Sequence, residues 1–334
     1  VTGNPVIVKP HPMGILPLAL TIRIGREVLD EAGFDPNVLL LAADNPDAPK
    51  TKDLVTQKDV ALIDYTGSSS FGRWVRENAG TALVYTEEAG VNSIVIHSTD
   101  NLRGMTSNIG FSLSLYSGQM CTAPQNIFVP KNGIETDQGH KSFDEIAESI
   151  KFSIDKLLGD PARAAAVLGA VQSEQTLERI SESAKLGNVI RQSRSVEGME
   201  DARSATPILI AIESENEGAY MQERFGPISF LIACDDIEDA IGQASSSAKE
   251  QGAITASLYS TSEDVIANTS DAFAIAGAPL SVNLTSGIYV NQSAAYSDFH
   301  VSGANPAGNA SLTDTAYVAN RFRVATVRRQ PSSQ

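Results

Sequence analysis

The sequence predicts an α/β fold with a doubly wound parallel sheet, and three observations support this prediction. Short apolar runs alternate with amphipathic stretches over residues 5–99. A similar alternation of strand-like and helix-like segments runs over residues 123–276. Strands that alternate with helices require crossover connections, which produce parallel sheets. In addition, 42% of the 334 residues are hydrophobic, which is enough for a sizeable core in two domains.

The elements follow from the apolar periodicity and from turn residues. Gly33 suits the left-handed position that ends the first helix. Strands are predicted at residues 5–8, 38–42, 60–65, 81–86 and 93–97, with helices at 14–32, 47–56 and 70–78. The second half is predicted to contain helices at 102–115, 237–249 and 262–276, a mostly helical region over 141–186, and strands at 123–129, 206–213, 228–234 and 254–259.

Composition excludes several classes of partner. The chain has 40 acidic and 25 basic residues, a net charge of −15, with no basic cluster, which argues against nucleic acid. No apolar run approaches the ~20 residues that span a bilayer, and no membrane partner is predicted. Two cysteines are too few for a disulfide framework, which favours the cytoplasm. No metal site is predicted.

Cys121 is the strongest candidate catalytic residue. It follows Gly118 and Gln119, which interrupt the apolar pattern where a helical stretch ends. A thiolate is strongly nucleophilic when nearby amide dipoles or cations favour it. A buried structural cysteine is the alternative, and Cys234, at the end of an apolar strand, fits that description instead.

Two adjacent carboxylates, Glu87 and Glu88, follow the strand predicted at residues 81–86. In a sheet of this class, ligands gather beyond the carboxyl ends of the strands. A carboxylate there could act as a general base that activates water. Two solvated loop carboxylates are the alternative.

Two further segments could bind an anionic cofactor. Residues 66–72 (TGSSSFG) follow one strand and open a helix, and the amide groups at a helix N-terminus suit a pyrophosphate. Lys9 ends the first strand, where an ammonium could meet a ribose or a phosphate. An ordinary strand-to-helix turn and a solvated lysine would look the same, so neither segment is specific by itself.

The order of these segments resembles that of the aldehyde dehydrogenase superfamily, from Gly3 to the terminal strand. Glu88 and Cys121 are 33 residues apart, a separation that also matches the family. The matching motifs are Asn-Pro-x-x-x-Lys-Pro at 4–10, Thr-Gly-Ser-Ser-x-x-Gly at 66–72, Glu-Ala-Gly at 88–90, Gly-Gln-x-Cys at 118–121 and Glu-Arg-Phe-Gly-Pro at 223–227.

The resemblance implies an aldehyde-dehydrogenase-like fold and a small-molecule aldehyde as substrate. Residues 1–99 would be the C-terminal part of a dinucleotide-binding domain, 100–290 the catalytic domain, and 291–334 a return loop with a terminal oligomerisation strand.

The resemblance also implies roles for single residues. Cys121 would attack the aldehyde, and Glu88 would activate the water that releases the acid, with Glu87 as the second choice. The implied cofactor contacts are Lys9 at the adenosine ribose, Gly67, Ser68 and Gly72 at the pyrophosphate, Glu223 at the nicotinamide ribose and Phe225 beside the nicotinamide.

Several residues depart from the family pattern. NAD-preferring members usually carry an acidic residue three positions after the lysine, but Pro12 stands here with His11 beside it, which favours NADP or use of both NADP and NAD. The base motif is usually Glu-Leu-Gly-Gly-Lys, but Glu88 is followed by Ala-Gly-Val-Asn. The family's oxyanion asparagine would precede Val1, so we expect residues 1–334 alone to be unstable or inactive.

The C-terminal segment narrows the resemblance. Residues 303–314 stand where most members have Pro-Phe-Gly-Gly. Together with residues 65–70 (YTGSSS) and 87–92 (EEAGVN), they are similar to the aldehyde dehydrogenases of phenylacetate degradation, which act on ring-opened, CoA-linked semialdehydes. The basic segment 321–329 fits the family's habit of adding a strand to a partner subunit, which implies a homo-oligomer. Transfer of the acyl group to CoA and a catalytically dead dinucleotide-binding subunit are the alternative functions.

Overall fold

The computed structural model describes residues 4–88, 90–285, 287–289, 302–309 and 326–329. The chain divides into two compact units. The first contains Val1–Asp64 and Ser70–Val84, and the second contains Tyr65–Ser69 and Tyr85–Gln334. Strands and helices alternate along both, so the predicted α/β class is confirmed. None of the helices in the described ranges is both long and apolar enough to cross a membrane.

The first unit places a long helix beside a pair of parallel strands, β1 and β2, in which Val6 lies opposite Leu39. Helix α1 follows a 3-10 turn that begins with Pro12, a residue pre-organised for a first helical position. Gly25 permits close packing, because a Cβ there would lie 2.8 Å from the Leu39 side chain. The helices and strands over residues 6–87 are β1 (Val6–Val8), α1 (Ile15–Glu31), β2 (Leu39–Leu41), α2 (Thr51–Val55), β3 (Leu62–Thr66), α3 (Ser69–Asn78) and β4 (Leu83–Glu87).

Helix α1 carries an exposed apolar stripe. Leu16, Leu20, Ile24 and Val28 recur every four residues on one face and are 42–70% exposed. Of the helix residues, Ile22 alone is buried. An apolar stripe of this length is unusual on an exposed protein surface.

The second unit is built on a sheet that has eight strands within the described residues. Their order is β10-β11-β12-β7-β5-β13-β14-β15, and every neighbouring pair is parallel except β10 with β11. The strands of this sheet are β5 (Asn92–Ile96), β7 (Pro124–Pro130), β10 (Asn188–Arg191), β11 (Ile208–Glu213), β12 (Ile228–Cys234), β13 (Ala256–Tyr259), β14 (Leu280–Val282) and β15 (Val327–Arg329). A small separate sheet contains β6 (Ser98–Thr99), β8 (Ile134–Thr136) and β9 (Gly139–Lys141).

Helices cover both faces of the large sheet. Successive side chains of a strand point to opposite faces of the sheet. Ile94 and Ile127 therefore pack against one layer of helices, and Val95 and Phe128 pack against the other. The first layer comes from α4 (Leu102–Ser114) and α5 (Phe143–Leu157), and the second from α9 (Ile237–Gln251) and α10 (Glu263–Ala276). Three shorter helices are α6 (Pro161–Leu168), α7 (Glu174–Ser183) and α8 (Glu217–Tyr220).

The structure shows how two parts of the predicted pattern are arranged. Strand β5, which comes from the predicted first segment of residues 1–99, lies between β7 and β13 in the centre of the second unit's sheet. The region predicted to be mostly helical, residues 141–186, contains three helices, because Pro161 starts α6 and Gly169, at φ 66°, ends it. Local periodicity identifies a strand or a helix but carries no information on its sheet partner. The division into domains at residues 99 and 290 stays a prediction.

The segment predicted at 291–334 is described only in part. Residues 302–309 pack within the second unit, and β15 forms an edge strand beside β14 of its own chain. Residues 291–301 and 310–325 lie outside the described residues. Addition of the terminal strand to a partner subunit stays a prediction.

Candidate active site

The backbone that leads to Cys121 is strained and firmly held. Tyr116, Ser117 and Gly118 have φ angles of 52°, 54° and 62°. This left-handed conformation costs residues other than glycine about 1–2 kcal/mol each. The Ser117 hydroxyl lies 3.2 Å from the carbonyl oxygens of Leu168 and Ala205 and shares its one proton between them. The surrounding chain therefore enforces the sharp turn that precedes the cysteine.

The side chain of Gln119 stabilises the same turn through hydrogen bonds. Its side-chain amide donates to the carbonyls of Tyr116, at 3.0 Å, and Ala170, at 2.9 Å, and its oxygen accepts the Gln172 amide proton at 2.8 Å. Gly118 allows the next segment to approach, because a Cβ there would lie 2.4 Å from the carbonyl oxygen of Gly226. The Gly-Gln pair that breaks the apolar pattern thus shapes the backbone beside Cys121.

The two cysteines lie in different environments. Cys121 is half-buried at the amino end of β7, where it contacts the apolar side chains of Ile254 and Ala307. Cys234 is fully buried in β12, and burial raises the pKa of its thiol to about 12. A thiol with that pKa is unreactive near neutral pH, so Cys234 is a structural residue and Cys121 the candidate nucleophile.

The segment that contains the predicted base contacts the nucleophile loop. A Cβ on Gly90 would lie 2.2 Å from the Cys121 carbonyl oxygen, so the two backbones are packed directly together. Glu88 is 7% exposed and its amide donates to the Ala307 carbonyl at 2.6 Å. Glu87 ends β4 and is half-buried. Both carboxylates therefore belong to the segment that reaches Cys121.

The segment that contains Glu223 and Phe225 joins the same site. Burial raises the pKa of the Glu223 carboxyl, while a hydrogen bond from the Gly90 amide and the positive charge of Arg179 act in the opposite direction. Arg179 also donates to the Phe225 carbonyl at 2.5 Å. Gln125, in β7, accepts the Arg224 amide proton at 2.7 Å. The structure thus brings the segments that contain Cys121, Glu88, Glu223 and Phe225 into contact within the second unit.

Residues 302–309 form a wall of this site, a contact that sequence reasoning missed. The side-chain oxygen of Asn309 accepts the backbone amide proton of Thr86 at 2.9 Å, and the backbone amide of Asn309 donates to the Thr86 carbonyl at 3.2 Å. Asn305 bonds the carbonyls of Ala253, at 2.8 Å, and Gly277, at 2.9 Å. The only available signal was composition, a Gly-, Asn- and Pro-rich stretch that has no apolar period.

The predicted cofactor residues are divided between the two units. In the first, Lys9 forms an ion pair of 2.8 Å with Asp44, whose side chain is excluded from solvent, and Gly72 is buried in α3. The Lys9 ammonium and the Lys50 amide hold the pKa of the Asp44 carboxyl below its usual range. In the second unit, Gly67 and Ser68 precede α3, and the Tyr65 hydroxyl donates to the Ser68 carbonyl at 3.0 Å. Sequence reasoning missed Asp44, because it considered only the neighbours of Lys9.

The site of the second unit lies at the amino ends of its strands. Cys121 precedes β7, Gly90 precedes β5 and Glu223 precedes β12. A cavity of about 620 Å³ at the opposite edge, near Lys131 and Glu213, contains none of the predicted site residues. The expectation about carboxyl ends was made for the strand at residues 81–86, and Glu87 and Glu88 lie at the carboxyl end of that strand, β4. Among the described residues, no group of three His, Cys, Asp or Glu side chains is placed to hold a metal ion.

A sequence model described as the aldehyde dehydrogenase family matches residues 1–308. The chain belongs to the aldehyde dehydrogenase family. Among solved structures of the family, the NAD-dependent aldehyde dehydrogenase from Burkholderia multivorans is 50% identical, with a TM-score of 0.91, over 97% of this chain and 60% of that one.

Curated relatives match the chain at lower identity. The lactaldehyde dehydrogenase of Escherichia coli K12 is 26% identical over 79% of this chain and 53% of its own length. The 3-sulfolactaldehyde dehydrogenase of Priestia aryabhattai is 25% identical over 73% of this chain and 49% of its own length. The chain thus spans about half the length of the curated relatives that it matches.

Proposed function

We propose that the chain contains the nucleophile-bearing part of an enzyme that oxidises an aldehyde to an acid with NAD or NADP. The observation that supports this most directly is the half-buried thiol of Cys121, held by a strained turn against the segments of Glu88 and Glu223. Family membership supports the same reaction. The whole enzyme's activity is proposed from these two observations together.

In the proposed reaction, the Cys121 thiolate attacks the aldehyde carbon and forms a thiohemiacetal. The Cys121 backbone N–H would donate a hydrogen bond to the resulting oxyanion. A nicotinamide held by Glu223 and Phe225 would supply the acceptor for the hydride that leaves this carbon, and a thioester would remain on Cys121. Water then attacks the thioester carbonyl, the acid is released with one proton, and the thiolate is restored.

A carboxylate at the end of β4 would activate this water, as a general base must lie within hydrogen-bonding reach of the proton it accepts. We assign this role to Glu88, whose side chain is buried in the segment that contacts Cys121. Glu87 is the second candidate, because it is adjacent to Glu88 in the sequence and its side chain is the more exposed of the two. Adjacent residues of an extended chain point in opposite directions, so only one of the two can face the thioester.

The residues of the first unit fit the adenosine ribose of a dinucleotide. A ribose diol can accept a hydrogen bond from Lys9 and donate one to Asp44. The carboxylate of Asp44 would repel a 2′-phosphate, which supports NAD, whereas Pro12 and His11 favoured NADP in the sequence. The NAD-dependent relative from Burkholderia multivorans supports the same choice. Gly67, Ser68 and Gly72 are proposed for the pyrophosphate, and Glu223 and Phe225 for the nicotinamide riboside.

The proposed substrate class is a CoA-linked semialdehyde of phenylacetate degradation, supported by the resemblance of residues 303–314 and 87–92. We propose a cytoplasmic homo-oligomer, with the terminal strand as the assembly element. Transfer of the acyl group to CoA is the second candidate reaction. The buried carboxylate of Glu88 argues against it, because acyl-transferring members often lack the general base.

Mass spectrometry of the full-length protein after exposure to aldehydes and NAD tests the proposal. We expect an acyl adduct on Cys121 that is absent from Cys121→Ser and is not found on Cys234. Glu88→Gln should accumulate this adduct, and Glu87→Gln is the matched control. Accumulation in Glu87→Gln alone would transfer the role to Glu87, and release by CoA rather than water would favour the second reaction. An adduct elsewhere, or none with several aldehydes, would overturn the proposal.

A further inference from the structure

We propose that Asn92 is the positioning residue that fixes the backbone of Cys121 for attack. This inference rests on the proposed function, because it names a further residue of the same site. Asn92 is the first residue of β5 and is 1% exposed, so its side chain lies inside the protein and acts through its neighbours. In the sequence it appears only as the atypical last residue of the motif that begins at Glu88.

The amide nitrogen of Asn92 holds the nucleophile loop. Its Nδ2 lies 2.7 Å from the Cys121 carbonyl oxygen and 3.0 Å from that of Ala123. A third carbonyl, of Gly90, lies at 3.2 Å. One side-chain amide therefore ties the cysteine, the residue at the start of β7 and the segment of the proposed base to a single point.

The side-chain oxygen of Asn92 also has hydrogen-bond partners. Asn92 Oδ1 accepts the amide protons of Ile254, at 3.0 Å, and Thr255, at 3.1 Å. Ile254 itself packs against Cys121 and Ala307. The strand start of β13 is thus anchored to the same amide, and this anchor does not depend on the donated bonds.

Only an amide of this length satisfies both sets of groups. Aspartate has the same shape, but its second oxygen would face three carbonyl oxygens with no proton to donate. Alanine would leave buried donors and acceptors without partners, which is costly at a buried site. Asn92 therefore determines where the Cys121 carbonyl lies, and with it the origin of the thiol side chain.

The contact has a direct consequence for reactivity. A displacement of about 1 Å at a reacting group can reduce a rate about 100-fold. Gly90, which Asn92 holds next to Cys121, also donates its amide proton to Glu223. A change at Asn92 should therefore alter the chemistry of Cys121 more than it alters the overall stability.

The test compares Asn92→Asp and Asn92→Ala with Asn283→Ala in the full chain. Asn283 is a matched control: it joins β13 and β14 at the opposite ends of the strands through hydrogen bonds of 2.8 and 2.9 Å to Ser260. Three quantities are measured: the pH dependence of iodoacetamide alkylation at Cys121 with Cys234 as internal reference, the single-turnover acylation rate with its KM for aldehyde, and the melting temperature.

We expect both Asn92 variants to lose at least about tenfold in the alkylation and acylation rates, with KM changed less than about twofold. Asn92→Asp should also move the pH profile of alkylation upward, because a negative charge near Cys121 opposes the thiolate. Asn283→Ala should lower the melting temperature without either effect. If the first two variants do not fold, Asn92→Ser, which keeps one hydrogen-bond donor, takes their place in the comparison with Asn283→Ala.

Unchanged alkylation and acylation at Cys121 in a folded Asn92 variant would overturn the inference. So would losses no larger than those of an equally destabilised Asn283→Ala. The outcome is separable from the proposed function. If wild-type Cys121 is alkylated in an Asn92-dependent way but never acylated by an aldehyde, the proposed function fails and the positioning role stands.

Discussion

Replacing Gly90 with alanine should inactivate the nucleophile by steric displacement. The new Cβ would lie 2.2 Å from the Cys121 carbonyl oxygen, 3.1 Å from its carbonyl carbon and 3.2 Å from Asn92 Nδ2. Because carbon–oxygen contacts settle near 3.3–3.6 Å, the two backbones must separate by about 1 Å. Gly90 has no positive φ, so the effect is steric alone.

The expected magnitudes follow from this displacement. Overpacking of a buried contact costs about 1–3 kcal/mol of unfolding free energy. Loss of the Asn92–Cys121 hydrogen bond adds about 1 kcal/mol. A shift of this size at the thiol should reduce the acylation rate of Cys121 about 100-fold.

Urea denaturation and single-turnover acylation measure the two effects. Gly242→Ala is the control, because a Cβ at that exposed position of α9 meets nothing within 4 Å. This change should stabilise the protein by about 0.5–1 kcal/mol through helix propensity and leave acylation unchanged. A Gly90→Ala protein with wild-type stability and acylation would refute the packing argument.

Two further predictions concern charged groups. Burial raises the folded-state pKa of Glu223, so the folded state holds the proton more tightly and the wild type loses stability as the pH rises above about 4.5. The melting temperature of Glu223→Gln should therefore rise relative to that of the wild type as the pH rises. Its KM for NAD should also increase. A difference in melting temperature that does not depend on pH would contradict this prediction. Asp44→Asn should improve kcat/KM for NADP relative to NAD by about tenfold, or 1.4 kcal/mol. Asp53→Asn, at an exposed ion pair, is its control, and an equal shift in both variants would contradict the role of Asp44.

The local pattern predicted the elements well where they are long and periodic. Helix α4 and strand β12 lie within a few residues of their predicted bounds, because their apolar spacing reflects burial against the sheet. The hairpin of β8 and β9 and the edge strand β10 were missed. These strands have three or four residues each, too few to establish an alternation.

The order of motifs made Cys121 the candidate nucleophile, because the Gly-Gln-x-Cys segment is contiguous in the chain. Its partners are not contiguous. Asn92 is 29 residues from Cys121 and 162 from Ile254, and Lys9 reaches Asp44 across the β1–β2 pair. A hydrogen bond between such distant residues leaves no periodicity or spacing in the sequence.

The sequence by itself determined the fold class, the family and the cysteine to examine, since these depend on apolar periodicity and on short contiguous motifs. Only the tertiary structure decided that β5 belongs to the second unit, that the site lies at the amino ends of the strands, and that Asn92 joins three segments there. The physical reason is that strand pairing and buried hydrogen bonds are chosen by the packing of the whole sheet. Cys121 was visible in the chain, but the backbone that positions it was not.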